Sequence, residues 1–370
     1  MSNFMDTVKE FINPNWGHHR TVPPMDAGLR ANTRIDGARE LLADRTLRPD
    51  DVDRAEDGSI VFSAGDAIYR LAGGKATKLV DLGARVNALS VDGSALIAAV
   101  SGRGIVSVDG GGTVTEICTD DIVSHSITDI AATGDGRMFV TVGSRTLGGD
   151  QWANALLTDD RTGALVEVNG ATTRIVQEGL AWPSGVAMRT NGGILLAQSL
   201  AHKVEARDPG ALGHEGVPVA ENLPLFPGRM AIDGGDVWIA APYIRNRVTE
   251  LLLDEPEFVG EMMATVPPGE WFVPRLYVEN PMTDTLQMGQ LRTEGEIKSW
   301  APARSCGIAF RVDGLSGRVV DSLHARVDSP RHGITGITAH DGVVVLAAQG
   351  YGNLLQLDAN SDDNEKDTRS

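Results

Sequence analysis

The sequence predicts an all-β protein, more specifically a six-bladed β-propeller, and three observations support this fold class. A turn motif recurs in units of about 35 to 55 residues. Each copy of the motif lies between two apolar runs, and Gly accounts for 43 of the 370 residues. Strands and tight turns repeated at this spacing are typical of propeller blades. The six turns are Asp57-Gly58, Asp92-Gly93, Asp135-Gly136, Asn191-Gly192, Asp233-Gly234 and Asp341-Gly342.

The clearest copy of this repeat begins at Gly179-Leu-Ala-Trp-Pro-Ser-Gly-Val-Ala-Met188. This loop leads into an apolar strand, the turn Asn191-Gly192 and a second apolar strand at Ile194-Leu-Leu-Ala197. Pro183 and Gly185 punctuate the entry to the first strand, and Asn-Gly between two apolar runs is a strong hairpin signal. Six such units would surround a central channel, which is where we expect function to be found.

The limits of the repeat divide the chain into three parts. Residues 1–33 are predicted to form a short helix and an extended arm, residues 34–358 the propeller, and residues 359–370 a disordered acidic tail. We expect Glu40-Leu-Leu42 to complete the last blade, because this removes an open sheet edge. The six blades are predicted at about 50–83, 84–120, 121–181, 182–226, 227–327 and 328–358.

Two long inserts interrupt the repeat, one in blade three at 143–160 and one in blade five at 243–300. Long inserts on one face of a propeller usually build a lid or a pocket wall, although simple loop decoration is an equal alternative. The stretch 251–263 is compatible with a short helix if Pro256 lies in its first turn. Both inserts modestly favour a covered small-molecule pocket over an open surface for docking proteins.

Composition restricts the partners and the compartment. The net charge of −17 argues against nucleic acid and anionic membranes as partners. The N-terminal residues lack the long apolar region of a signal peptide, and the chain lacks an apolar run long enough to span a membrane. Cys118 and Cys306 lie far apart in sequence, so they do not imply a disulfide and we expect a reduced, cytoplasmic protein.

Several runs resemble the strictosidine-synthase-like proteins, which are grouped with the senescence-marker-protein/gluconolactonase and paraoxonase-type six-bladed propellers. The runs are Val140-Thr-Val-Gly-Ser144, Asp160-Arg-Thr-Gly-Ala-Leu-Val166 and Gly179-Leu-Ala-Trp-Pro-Ser-Gly-Val-Ala187. The resemblance extends over nearly the whole chain past residue 34. It implies a six-bladed propeller, and it most often implies hydrolysis of a lactone or an ester.

The lactonases of that superfamily hold a calcium ion at one end of the channel, and calcium needs six to eight oxygen ligands. The positions that match those ligands are Asp50, Thr128, Ser184 and Gly228. Glycine in place of the strongest ligand, with Arg229 beside it, is expected to repel a cation. We therefore expect a degenerate calcium site and no cofactor.

The condensing enzyme that gives the family its name uses a glutamate in the last blade, upstream of a His-Asp-Gly turn. That turn is present as His340-Asp341-Gly342, but the position that matches the glutamate falls at or near Thr335. Strictosidine formation is therefore not expected, and membership of a fold does not transfer a function.

Two loops are near copies of each other and supply candidate acid–base groups. His125 in blade three and His332 in blade six each stand three residues before a threonine of the innermost strand. Because these blades are opposite each other, the two imidazoles are predicted to face one another over the channel mouth and to move protons. Asp129 or Asp50 is expected to orient one of them, and Arg229 to polarise a carbonyl. The alternative for each histidine is a surface or hydrogen-bonding role.

The leading hypothesis is a metal-independent hydrolase of a small lactone or ester in the channel mouth. A lyase, isomerase or condensing enzyme in the same pocket is a second hypothesis, and a non-catalytic propeller that binds a small molecule or a protein is a third. Arg85, at the start of blade two, is a further candidate for binding a carboxylate. The predicted substrate-binding residues are Asp50, Thr128, Trp152, Trp182, Ser184, Tyr243 and Thr335.

Overall fold

The structure of the protein is a computed structural model that describes residues 21–25, 27–279, 304–314 and 316–359. These residues form six four-stranded antiparallel sheets and a small two-stranded sheet. The innermost strand of each four-stranded sheet contacts the innermost strands of the sheets before and after it, and the sixth contacts the first. The contacts therefore close a ring, and the predicted six-bladed propeller is confirmed.

Each blade consists of four strands, ordered below from the innermost to the outermost. Blade one contains Val52–Arg54, Ile60–Ala64, Ala67–Ala72 and Lys75–Asp81, blade two Val86–Asp92, Ala95–Val100, Gly104–Val108 and Val114–Cys118, and blade three Ile127–Ala132, Arg137–Val142, Gly163–Asn169 and Thr172–Leu180. Blade four contains Pro183–Met188, Ile194–Gln198, Lys203–Arg207 and Val217–Ala220, blade five Met230–Asp233, Asp236–Ala241, Ile308–Asp313 and Val319–His324, and blade six Ile334–His340, Val343–Ala348, Asn353–Asp358 and Arg39–Ala43.

The second strand of a blade is its most apolar strand because both of its faces are covered by neighbouring blades. All five residues of Ile194–Gln198 are buried, and so are the last five of Ala95–Val100. The hydrophobic clusters accordingly combine residues of adjacent blades, such as Ile97 and Ile105 of blade two with Val140 and Val166 of blade three. Burial of these clusters holds the blades side by side.

The N-terminal part of the chain closes the ring. Arg39–Ala43 pairs with Asn353–Asp358, as expected for the closing strand. Before it, the arm follows the outermost strand of blade five, where the Asn32 side-chain amide donates to the Ser322 carbonyl at 2.8 Å. Short 3₁₀ helices occur in this part of the chain at Ala27–Leu29 and Arg34–Gly37. The helix predicted before residue 21 and the tail predicted after residue 359 lie outside the described residues.

The two predicted inserts carry the described α-helices. The blade-three insert contains α1 (Trp152–Thr158), and the blade-five insert contains α2 (Arg247–Leu253) and α3 (Pro256–Thr265). Pro256 occupies the first turn of α3, where its missing N–H costs no hydrogen bond. A two-stranded sheet of Leu225–Phe226 and Tyr243–Ile244 forms the base of the second insert. Short 3₁₀ helices lie at Asp121–Val123, Ser199–Ala201, Pro209–Ala211 and Pro268–Glu270.

Two further expectations concern the cysteines and membranes. Cys118 and Cys306 are both buried free thiols, so the structure contains no disulfide between them. Among the described residues, no helix is both long enough and apolar enough to cross a membrane.

Candidate active site at the channel mouth

A cavity of about 220 Å³ occupies one mouth of the channel, where loops enter the innermost strands. Loop residues of the blades form its floor, and Trp152 and Tyr243 of the two inserts extend over it. The structure brings together at this cavity all the residues predicted to bind substrate, and also Arg229. They are Asp50, Thr128, Trp152, Trp182, Ser184, Arg229, Tyr243 and Thr335.

One wall of the cavity is aromatic. The rings of Trp152 and Tyr243 are stacked with centroids 3.9 Å apart, and Phe226 meets Trp152 edge-on at 4.9 Å. The indole Nε1 of Trp152 donates to the Ser199 hydroxyl at 3.2 Å, which fixes the orientation of the ring. Trp182 adopts a left-handed backbone conformation with φ of 47°, so its loop turns sharply at the cavity. The wall is therefore aromatic, and a hydrogen bond holds the Trp152 ring in place.

The Arg229 side chain forms the bottom of the cavity and is 11% exposed. Its Nη1 donates to Asp50 Oδ1 at 3.1 Å and to the Thr335 carbonyl at 2.9 Å, and its Nη2 donates to the Asn87 carbonyl. Its Nε lies 3.2 Å from Asp51 Oδ2. The guanidinium thus directs its N–H groups at protein oxygens and stays charged, because the nearby carboxylates raise its pKa against the effect of burial.

A second cavity, of about 410 Å³, lies on the other side of Arg229. Arg229 lines both cavities, so its side chain separates the two ends of the channel. Asp51 and Asp129 line only the second cavity, together with Asp53. Burial raises the pKa of Asp51 to about 6, and it raises the pKa of Asp129 well above its usual range with a further contribution from the charge of Asp51.

Asp50 faces the first cavity and is held between two guanidinium groups. Its Oδ2 accepts from Arg85 Nη2 at 2.9 Å, and its Oδ1 accepts from Arg229 Nη1. Although burial opposes ionisation, Arg229 and Arg85 together hold the pKa of Asp50 below its usual range. The Arg85 side chain is 49% exposed, so it is accessible from the cavity. Burial and the nearby Asp50 charge raise the pKa of Tyr243, whose hydroxyl is therefore protonated at neutral pH.

Three hydroxyl groups at the entries of innermost strands bind the next blade. Thr128 donates to the Pro183 carbonyl, Ser184 donates to the Pro227 carbonyl, and Thr335 donates to the Asp50 carbonyl, each at 2.6 Å. A hydroxyl proton used in this way links two blades, which explains why short polar residues stand at these positions. At the position before Arg229, Gly228 has no side chain to offer.

Comparison with known proteins supports the same architecture. No protein-family model matches the chain, and no curated protein matches it by sequence. Two solved structures match over nearly the full length. One is described as a candidate gluconolactonase, with 12% identity, 87% of this chain and 92% of that chain covered, and a TM-score of 0.54. The other is a gluconolactonase of Xanthomonas campestris, with 13% identity, coverages of 92% and 99%, and a TM-score of 0.56. The chain has the fold of gluconolactonase-type propellers.

In this six-bladed propeller the two histidines do not face each other over the channel mouth, and that prediction is wrong. His125 is an exposed side chain whose Nε2 lies 3.2 Å from Asp121 Oδ1, and neither histidine lines the mouth cavity. His332 is fully buried and bonded at both nitrogens, to the Ser305 hydroxyl and to the Arg326 carbonyl, each at 2.7 Å. Because a carbonyl only accepts, Nε2 carries the proton and Nδ1 accepts from Ser305.

Asp129 also differs from its predicted placement, because it faces the second cavity and orients no imidazole. Its two carboxylate oxygens accept the backbone N–H groups of Ile130 and Val186, at 2.9 and 2.8 Å. It therefore links blade three to blade four. Asp51 makes the same kind of link from blade one to blade two by accepting from the Leu89 N–H at 2.8 Å.

The sequence reasoning missed Asp51 as a member of the channel. A signal was available, since Asp50, Asp51 and Asp53 precede or enter one short innermost strand. Alternation along a strand places Asp51 and Asp53 on one face, and Asp50 on the other. The contact of Asp51 with Arg229, which is 178 positions away, could not be read from spacing.

Proposed function

We propose that this protein is a hydrolase of small lactones or esters and that it binds them in the mouth cavity. The observation that carries the proposal is the convergence of a carboxylate, an accessible guanidinium and a protonated phenol beside an aromatic wall. These groups belong to Asp50, Arg85 and Tyr243. A pocket with an apolar wall and a few convergent polar groups is the usual form of a small-molecule site.

Arg85 and Tyr243 are assigned to the carbonyl oxygen of the substrate. Arg85 is half exposed, and among the described residues the Tyr243 hydroxyl has no hydrogen-bond partner, so both have donors to offer. Donors fixed near a developing oxyanion lower the barrier to acyl transfer, and each is worth about 10²- to 10³-fold in rate. The sequence assigned this role to Arg229, but its N–H groups are directed at Asp50 and backbone carbonyls.

Asp50 is assigned to the attacking water. While both arginines bind it, its lowered pKa makes it a weak base. A substrate carbonyl that draws Arg85 toward itself removes one of these two positive charges, and the pKa of Asp50 then rises. Asp50 takes a proton from water as the water oxygen attacks the carbonyl carbon. It returns the proton to the departing alcohol oxygen, so the products are an acid and an alcohol.

The proposal does not include the calcium ion that the resemblance implies, because the donor set does not suit it. Of the four matching positions, Thr128 and Ser184 offer only neutral hydroxyl oxygens, and Gly228 has no side-chain ligand atom. Asp50 is paired with two guanidinium groups. Among the described residues there is also no group of three or more His, Cys, Asp or Glu side chains arranged to hold a metal ion.

The test is a screen of lactones and esters with a pH indicator that reports acid release, begun with aldonolactones because both structural neighbours are described as gluconolactonases. We expect Tyr243→Phe to lower kcat/KM about 10²-fold and Arg85→Met about 10²- to 10³-fold. Arg103→Met is the matched control, since Arg103 belongs to the same blade and pairs with Glu116 at 3.1 Å outside the cavity. Full activity in both site variants would refute the assignment.

The screen also separates this proposal from the other two hypotheses. Only hydrolysis releases one equivalent of acid for each substrate consumed. If the protein binds these compounds in the mouth cavity but releases no acid, a lyase or isomerase reaction or simple binding replaces hydrolysis. Loss of binding in Tyr243→Phe without any turnover in the parent protein would favour the non-catalytic hypothesis.

A further inference from the structure

The surroundings of the Arg229 guanidinium are those of a coordinated cation. Six oxygen atoms lie within 4 Å of its nitrogens. Three are carboxylate oxygens, from Asp50 at 3.1 Å, Asp51 at 3.2 Å and Asp129 at 3.8 Å. The other three are the backbone carbonyls of Asp50, Asn87 and Thr335.

These oxygens come from separate parts of the ring. Asp50 and Asp51 lead into blade one, Asn87 and Asp129 belong to the innermost strands of blades two and three, and Thr335 belongs to blade six. Arg229 itself immediately precedes the innermost strand of blade five. A single side chain therefore connects the innermost strands of five blades at the channel axis. Blade four joins the same arrangement through the Val186 N–H, which donates to Asp129 Oδ2.

Burial favours a cation at this position. Asp50, Asp51 and Asp129 have side chains that are 8%, 5% and 7% exposed, and carboxylates removed from water in this way repel one another strongly unless a positive charge lies among them. Arg85 reaches only Asp50. Among the described residues, Arg229 is thus the one cation in contact with all three carboxylates.

We propose that Arg229 is a built-in replacement for an axial metal ion: its guanidinium neutralises the inner carboxylates and joins the blades, so that the propeller needs no divalent cation for stability. A guanidinium suits this position because its planar fork offers five donors in fixed directions and stays charged. This role is independent of the proposed hydrolysis, so either proposal can fail without the other.

The first measurement is thermal unfolding of the full chain in excess EDTA and in millimolar CaCl₂ or MgCl₂. A ligand that binds only the folded state raises the Tm as its concentration exceeds its Kd. We expect the Tm to be the same in all three solutions, to within about 1 °C. A saturable rise of several degrees with calcium, reversed by EDTA, would overturn the proposal.

The second measurement is a double-mutant cycle of Arg229→Met and Asp51→Asn. Arg229→Met leaves buried carboxylates without their cation, and a loss of about 5 °C or more in Tm is expected. Asp51→Asn by itself weakens one of the two backbone hydrogen bonds that the carboxylate accepts, but the cycle cancels that separate cost. If Arg229 acts through charge, Arg229→Met lowers the Tm by less in the Asp51→Asn background than in the parent, because one of its three carboxylates is already neutral.

Asp53 provides the matched control for this cycle. It lies on the same strand and accepts the Arg54 and Val91 N–H groups at 2.7 and 2.8 Å, as Asp51 accepts two backbone N–H groups. Among the described residues it forms no ion pair with Arg229. In the Asp53→Asn background, Arg229→Met should therefore lower the Tm by about as much as it does in the parent. Equal losses in the parent, Asp51→Asn and Asp53→Asn backgrounds would show that Arg229 acts by packing alone and would overturn the proposal.

Discussion

Blade four contains a fully buried ion pair whose disruption gives a sharp prediction. The side chains of Glu205 and Arg207 are both 0% exposed. Arg207 donates through Nε and Nη2 to Glu205 Oε1 and through Nη1 to the Leu212 carbonyl at 2.8 Å. Gln198 donates to the same Glu205 oxygen at 3.1 Å, and Lys203 Nζ lies 3.0 Å from the other oxygen. Burial raises the pKa of Glu205, but Arg207 and Lys203 outweigh burial and the pKa is lowered.

Arg207→Met removes the buried cation and leaves Glu205 with Lys203, whose side chain is 19% exposed, as its only remaining positive partner among the described residues. Breaking a buried pair from one side costs about 3–5 kcal/mol. We therefore expect a decrease of about 3–5 kcal/mol in the free energy of unfolding, measured by urea denaturation followed by tryptophan fluorescence. The slope of the free energy against urea should not change.

The double variant Glu205→Leu with Arg207→Met decides whether the cost comes from the uncompensated charge. Replacing both ions by apolar groups of similar volume is often neutral, so this variant should recover most of the lost stability. If the double variant is as unstable as Arg207→Met, the side-chain packing and the bond to Leu212 carry the effect, and the electrostatic reasoning is refuted.

Three further predictions concern the channel, the arm and the effect of pH. In Gly185→Ala the new Cβ would lie 2.2 Å from the Gly228 carbonyl oxygen, so we expect the free energy of unfolding, measured in urea, to decrease by about 3 kcal/mol. In the control Gly210→Ala the new Cβ has no neighbour within 4 Å, so the change should be close to zero. Arg34→Met removes the ion pair between the arm and Asp321 Oδ1 at 2.7 Å, and we expect the free energy of unfolding to decrease by about 1–2 kcal/mol. The control Arg39→Met, at an exposed position, should change it little. Burial lowers the pKa of His324 to about 4. As the pH falls below about 6.5, the unfolded chain binds a proton at this histidine that the folded chain does not bind, so the free energy of unfolding decreases. Between pH 7 and pH 5 the wild type should therefore lose about 2 kcal/mol more than His324→Gln, and equal losses would contradict this pKa shift.

The fold could be predicted from the sequence because its signals are local. The Asp-Gly and Asn-Gly turns need residues that tolerate positive φ, and Gly58, Gly136 and Gly342 have φ of 80°, 87° and 76°. The apolar second strands follow from burial on both faces. The position of Pro256 at the start of α3 could also be predicted, because proline is tolerated in the first turn of a helix.

The candidate site was only partly predictable, for a physical reason. Positions at the entry of each innermost strand must lie near the axis, and Asp50, Thr128, Ser184 and Thr335 accordingly line the mouth cavity. The direction of a side chain depends on one residue of register, and Asp129 points to the other cavity for this reason. The histidines belong to loops before the strands, and nothing in a loop sequence fixes whether a side chain turns toward the axis, as the buried His332 and the exposed His125 show.

The axial arginine restricts the chemistry that the mouth cavity can perform. A guanidinium bonded to Asp50 and to the backbone carbonyls of Asn87 and Thr335 has its donors directed into the protein, so its positive charge acts on a substrate mainly at a distance. Strong polarisation of a carbonyl must then come from groups that reach into the cavity, and the proposed function assigns this role to Arg85 and Tyr243. In the proposed hydrolysis, the ion pair of Arg85 with Asp50 at 2.9 Å couples substrate binding to base activation, because the guanidinium that turns toward the incoming carbonyl no longer holds the charge of Asp50. Arg85→Lys should therefore lower kcat more than it raises KM, since an ammonium group lacks the planar fork that donates to a carbonyl in a fixed direction.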